Sequence, residues 1–97
     1  MAQSVLTAPM ATIGVPKEIK VDEQRVALTP DAVKELVTHG LEVRIQSGAG
    51  SGAGIDDEAF ASAGAQIVDQ EQAWGAHLVV KVKEPQPEEF RFLRDDM

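Results

Sequence analysis

The segment TPDAVKELVTHGL, Thr29 to Leu41, specifies both ends of one helix and the face it buries, and this narrows the folds open to the chain. Thr29 is suited to the N-cap, and Pro30 to the first helical position, where its missing N–H leaves no bond unmade. Val33, Leu36 and Val37 fall on one face at i, i+3, i+4. Gly40 supplies a left-handed residue past the last turn, and Leu41 the apolar contact that often follows. A short apolar strand, about Thr12 to Val15, precedes this helix. A second strand, Glu42 to Gln46, follows it, with Val43 and Ile45 alternating against Glu42, Arg44 and Gln46. A one-striped helix between two short strands reads as a crossover joining parallel strands, and such crossovers are right-handed.

The rest of the chain continues the alternation. A short helix, about Asp57 to Ala63, is opened by acids that suit a helix N-terminus and ended by Gly64. A strand is expected over Gln66 to Val68, a helical turn around Gln72 to Ala76 carrying Trp74, and a strand over Leu78 to Lys83. Pro85 and Pro87 then break the chain. A final helix, about Glu88 to Arg94, has acids first and arginines last, matching its dipole. The expected class is α/β, an open parallel sheet with flanking helices. Trp74 and Phe60 are its simplest core aromatics.

With 97 residues there is room for one small domain. Residues 1–11 are mildly apolar and uncharged, without the basic start of a secretory signal, and read as a disordered extension or a late start. The domain is expected over 12–97. It ends on Asp95, Asp96 and Met97 without a strand to complete the sheet, so the chain reads as truncated.

Composition removes several function classes. At 43% hydrophobic and 26% charged the chain is globular in character. Its net charge of −7 argues against nucleic acid, whose phosphates it would repel. It has no cysteine, so disulfides and thiolate metal sites are excluded. His39 and His77 stand far from ligand-like spacing, so no metal is expected. No run approaches the roughly 18 apolar residues that a membrane span needs.

Two segments carry candidate chemistry. In IGVPKEIKVDEQRVALTP, Ile13 to Pro30, an apolar strand ends at a proline and a charged loop follows, centred on Glu23 and Arg25. Arg25 then lies near the carboxyl end of a strand, where open α/β sheets place their ligands. Its planar fork of donors suits a small carboxylate. The alternative is a surface arginine paired with Asp22 or Glu23, and Glu23 could equally orient Arg25 for a ligand. In LVVKVKEP, Leu78 to Pro85, Lys83 stands at the strand's exit, so its ammonium would reach the same crevice. Two cations from two strands would bind a carboxylate and polarise an adjacent carbonyl. The alternative is a strand with one half-solvated face, shared by Val79, Lys81 and Lys83.

The loop GAGSGAG, Gly48 to Gly54, is not a dinucleotide fingerprint. Strict G-x-G-x-x-G fails at Ala53 in one register and at Ile55 in the other. Asp56, Asp57 and Glu58 crowd the helix start that a pyrophosphate would need, and Asp69 and Glu71 are poorly placed for a ribose. A flexible turn is expected instead. His39, in the last turn of the first helix, and His77, before the last strand, read as structural.

Taken in order, the first segment, the helix ending in glycine, VRIQSGAGSGAG, the acid-opened helix before AGAQIV, and LVVKVKEP resemble the amino terminus of alanine dehydrogenases. The same module opens the alpha subunit of proton-translocating nicotinamide nucleotide transhydrogenase. The resemblance spans about Thr12 to Leu93. KVKEP is similar to alanine dehydrogenase, whereas transhydrogenases tend to replace the second lysine and the glutamate after it. Gln24 departs from the aromatic residue often seen before the arginine.

The resemblance implies a Rossmann-like substrate domain in which the residue at Arg25 binds the substrate carboxylate and the one at Lys83 contacts its carboxylate and carbonyl end. It implies an NAD-dependent oxidation of L-alanine to pyruvate and ammonia, a homohexamer, and a cytoplasmic setting. The family's acid/base histidine, its assisting aspartate and its NAD-binding domain have no counterpart here, and His39 and His77 match neither role. The chain alone is therefore expected to be inactive, with no catalytic and no cofactor-binding residue of its own. Two alternatives stand beside this: the transhydrogenase alpha subunit, and a non-catalytic module that binds small anions or a partner.

Overall fold

The helix specified between Thr29 and Leu41 forms as expected. Thr29 Oγ1 accepts the Ala32 N–H at 3.2 Å, and Pro30 occupies the first turn. At the other end Gly40 has φ 88°, and the Leu41 N–H donates to the Leu36 carbonyl, closing the left-handed cap. The computed structural model describes residues 11–94. Along them run β1 (Thr12–Val15), α1 (Pro30–Thr38), β2 (Glu42–Gln46), a 3-10 turn (Ser51–Ala53), α2 (Asp57–Ser62), β3 (Gln66–Val68), α3 (Gln70–Trp74), β4 (Leu78–Val79) and a second 3-10 segment (Pro87–Phe92). Nearly all of the expected extension over 1–11 lies outside the described residues.

The four strands form one parallel sheet in the order β3-β2-β1-β4. Val43 and Ile45 turn the buried face of β2 toward Val33 of α1 and Phe60 of α2, with Val15 and Ala49 completing that core. On the other side α3 packs against β1 and β2. The approach is close: a Cβ at Gly14 would overlap the Ala73 carbonyl, so only glycine fits there. Trp74 and Phe60 are both fully buried, the former stacked on Phe92 at 5.4 Å.

Four local expectations change. β4 was expected to reach Lys83 but ends at Val79, with one further ladder bond from the Val80 N–H to Gly14 O. Pro16, which follows β1, has no N–H with which to continue the pairing. The turn around Trp74 starts earlier, at Gln70, because Asp69 and Gln72 form a reciprocal capping box. The last helix is a 3-10 segment; a run this short gains little from α-type propagation. Finally, the glycine loop is not a flexible turn. Asp57 accepts the Gly48 N–H at 2.9 Å and the Ser47 hydroxyl at 2.8 Å, and Gly50 packs where a Cβ would strike Ile55 and Phe60.

Candidate anion-binding site

The strand order has one reversal. The chain steps outward from β1 to β2 to β3, then returns through α3 to place β4 on the far side of β1. At such a switch point the loops leaving neighbouring strands diverge and open a crevice at their carboxyl ends. Here the loops are those that follow β1 and β4, which carry Arg25 and Lys83. A cleft of about 440 Å³ lies between them, lined by Lys20, Val21, Asp22, Glu23, Gln24, Arg25 and Lys83. The two sequence candidates therefore do line one cleft.

The first loop is shaped by a turn in which the Glu23 N–H donates to Lys20 O at 3.0 Å, and Asp22 takes φ 68°. Aspartate tolerates this left-handed conformation better than most residues. The turn brings Glu23 back against Arg25. Arg25 Nε and Nη2 donate to the two Glu23 oxygens at 3.0 and 2.9 Å, and the Arg25 backbone N–H donates to Oε2 at 2.8 Å. The side-chain bonds from Arg25, then its backbone N–H, hold the Glu23 carboxyl down to about 2, and Glu23 in turn raises Arg25 above its ordinary value. The ion pair weighed as an alternative is thus present. It fixes the guanidinium plane and leaves Nη1 without a partner among the described residues, on a side chain 69% exposed. One edge of the fork holds an internal carboxylate; the other faces outward.

Lys83 makes no side-chain hydrogen bond or ion pair among the described residues. Its charge nonetheless lies close enough to help lower both Glu23 and Glu84. Lys20, on the same wall, is engaged by Glu84 at 3.0 Å. Lys83 is then the cation of this cleft that is held by no acid.

Sequence reasoning missed the group behind this wall. Lys81 was expected on the same strand face as Lys83, half solvated. It is buried instead, paired with Glu18 at 2.9 Å and Glu89 at 3.5 Å, and it lies 5.9 Å from the Trp74 ring centre. The signal was available: a lysine inside the apolar run LVVKV needs a buried partner.

His77 accepts the Thr12 N–H at 3.1 Å through Nδ1, at the amino end of β1, and His39 caps α1 near Glu35. Both are remote from the cleft's strand ends. In the glycine loop the Asp57 carboxylate takes the Gly48 N–H, one of the donors that a pyrophosphate would need. Among the described residues no three His, Cys, Asp or Glu side chains cluster as metal ligands, and no helix is long and apolar enough to cross a membrane. Another cavity, of about 340 Å³, opens beside Trp74, Arg91 and Arg94. Arg94 is committed there to the carbonyls of Trp74 and Ala76.

The family model for "Alanine dehydrogenase/PNT, N-terminal domain" matches residues 14–97. The chain belongs to this family. It is 54% identical over 83 residues to the alanine dehydrogenase of Bacillus subtilis (strain 168), covering 84% of this chain and 22% of that protein. It is 50% identical over 84 residues to that of Mycolicibacterium smegmatis, covering 84% and 23%. Among solved structures, an L-alanine dehydrogenase superposes with a TM-score of 0.84 at 49% identity, over 86% of this chain and 23% of that one. A transhydrogenase from Sinorhizobium meliloti superposes with 0.81 at 32%, over 86% and 24%. The chain thus spans less than a quarter of the length of these alanine dehydrogenases. The parallel sheet with flanking helices is the architecture of the family's N-terminal domain.

Proposed function

We propose that this chain is the N-terminal part of the substrate domain of an NAD-dependent L-alanine dehydrogenase, and that it provides the grip on the substrate carboxylate. The family reaction takes L-alanine, NAD⁺ and water to pyruvate, ammonium, NADH and a proton. One observation carries the reading: Arg25 and Lys83, on the loops leaving the two strands that flank the switch point, line one cleft. Arg25, oriented by Glu23, offers its outer guanidinium edge to the carboxylate. Lys83 approaches from the opposite loop and contacts the carboxylate and the carbonyl oxygen, where negative charge develops as the carbonyl is attacked. No described residue of this chain fits a proton shuttle or a nicotinamide site, so those functions belong to other parts of the enzyme. The chain alone is then inactive, and the working form is a cytoplasmic homo-oligomer, a homohexamer if it follows the family. The exposed Leu78, Phe90 and Leu93 would be covered within the whole protein.

A second reading, the corresponding domain of a transhydrogenase, draws on the 0.81 superposition. The higher identity to alanine dehydrogenases and the unpaired Lys83 favour the first. A bare anion-binding module would keep the cleft without the reaction. Arg25→Lys in a full-length enzyme bearing this segment distinguishes these. It should raise KM for pyruvate and L-alanine and leave NAD affinity unchanged, since a lysine cannot reproduce the fork. Loss of one bidentate charge-assisted contact corresponds to roughly 1.5–3 kcal/mol. A near-native KM and turnover would refute the assignment.

A further inference from the structure

We propose that Glu18 is the positioning residue for Lys83, and that the buried Lys81 ammonium exists to hold Glu18 in that task. The inference rests on the reading of the cleft above and deepens it. Past Val80 the loop after β4 has no strand to pair with, because β1 has ended at Pro16. Its backbone donors meet a side chain instead. Glu18 Oε2 accepts the Val82 N–H at 2.8 Å, and Oε1 accepts the Lys83 N–H at 3.3 Å and Lys81 Nζ at 2.9 Å. One carboxylate thus replaces the missing ladder for two consecutive residues and fixes where the Lys83 side chain departs. Glu18 is not itself on the wall of the 440 Å³ cleft but lines a smaller neighbouring cavity with Arg25, so within the cleft it reaches a ligand through Lys83.

Three donors converge on two oxygens, a set that suits the paired acceptors of a carboxyl group. Glutamine would offer a single acceptor oxygen and turn an NH₂ against an N–H. The Glu18 side chain is 2% exposed and Lys81 7%. A buried carboxylate needs a charge partner, and Lys81 is that partner. Glu89, fully buried, receives the Gln86 N–H on Oε1 and presents Oε2 to Lys81 at 3.5 Å, which draws the last 3-10 segment over the network. The lysine one alternation before Lys83 therefore serves as scaffold and the second as ligand group, from one short motif.

Two measurements on the full 97-residue chain test this. In the unaltered chain, followed by NMR during acid titration, the Val82 and Lys83 amide protons should shift together with the Glu18 carboxyl carbon. Amides that move independently of it overturn the proposal, whether or not any variant folds. The second is a double-mutant cycle with pyruvate as the probe. Glu18→Gln should weaken pyruvate binding about tenfold, as expected for a displaced charge-assisted contact, but have almost no effect once Lys83→Met is present. An equal loss in both backgrounds means a merely structural role and overturns the proposal. Weakening by Arg25→Lys and Lys83→Met but not by Glu18→Gln overturns the positioning role alone and leaves the cleft standing. Pyruvate binding indifferent to Arg25→Lys and Lys83→Met overturns the cleft and the proposal together.

Discussion

Lys81→Ala should behave as a folding mutation. Lys81 is the only cation in a buried group with two carboxylates, Glu18 and Glu89, so its removal takes the net charge of that group from −1 to −2. Taking one partner from a buried pair typically costs about 3–5 kcal/mol, because the remaining charge is left uncompensated. The two acids share this unequally. Glu18 keeps two backbone amide donors, whereas Glu89 Oε2 has no hydrogen bond and faces Lys81 alone. Total stabilities of small domains are about 5–15 kcal/mol, so the loss is a large fraction of what holds the chain folded. In thermal unfolding it corresponds to a fall in Tm of about 12 °C or more. Urea unfolding should be followed by far-UV circular dichroism, since the Trp74 ring lies 5.9 Å from Lys81 Nζ and its fluorescence would report the substitution itself. Lys83→Ala is the control, expected within about 0.5 kcal/mol of the unaltered chain. Adding Glu89→Gln to Lys81→Ala should recover part of the loss. A Lys81→Ala chain within about 1 kcal/mol of the unaltered one would refute the view that these buried charges stabilise one another.

Three further outcomes are expected. In a full-length enzyme bearing this segment, Lys83→Ala should lower kcat/KM, with kcat falling as well as KM rising if the ammonium meets the carbonyl; unchanged steady-state constants would remove Lys83 from the site. The isolated chain should not bind NAD by titration calorimetry at physiological salt, because the Asp57 carboxylate fills the Gly48 N–H and the net charge of −7 opposes a dinucleotide. Micromolar binding that weakens in Gly50→Val would overturn that reading. Asp57 is held below its ordinary value of 3.8, first by the Gly48 N–H and then by the Ser47 hydroxyl, so its contribution to stability is complete above that value and is lost as pH falls through the lower, folded one. Asp57→Asn should therefore flatten the acid limb of a stability–pH curve, and an unaltered limb would show the loop does not depend on it.

The fold was legible wherever local chemistry and tertiary context pointed the same way. The Thr29–Pro30 start, the Val33–Leu36–Val37 stripe and the Gly40 stop fixed α1 at both ends, and β1, β2 and β3 follow their apolar patterns residue for residue. The larger differences, at β4 and the glycine loop, were decided by side chains outside those segments. β4 looked six residues long because LVVKVK alternates, yet its partner strand ends at Pro16 and Glu18 takes over the amides. The glycine loop looked free because it holds only glycine, alanine and serine, yet Ala49 enters the core and Asp57 stitches the loop from outside. The cleft followed the same rule. That Arg25 and Lys83 line it could be read from their places at strand ends, but the contacts of Glu18 could not, since they are made to a loop 64 residues away.

The two ends of this sheet carry different kinds of polar group. At the amino end of β1, Thr12 and His77 satisfy one another through reciprocal hydrogen bonds. At the carboxyl end, acids outnumber the cations they need. Glu23 secures Arg25, Glu84 secures Lys20 and Glu18 with Glu89 secures Lys81, so two of the three cations on the cleft wall, and the lysine behind it, are fixed in position by carboxylates. Each pair lowers the freedom of a long side chain before any ligand arrives, and preorganisation of this kind strengthens binding by reducing the ordering that association would otherwise require. On the cleft wall Lys83 alone is held by its backbone and left open at its ammonium. The cleft therefore presents a guanidinium whose plane is already set and an ammonium with no competing acid, an arrangement suited to the small carboxylate proposed as its ligand.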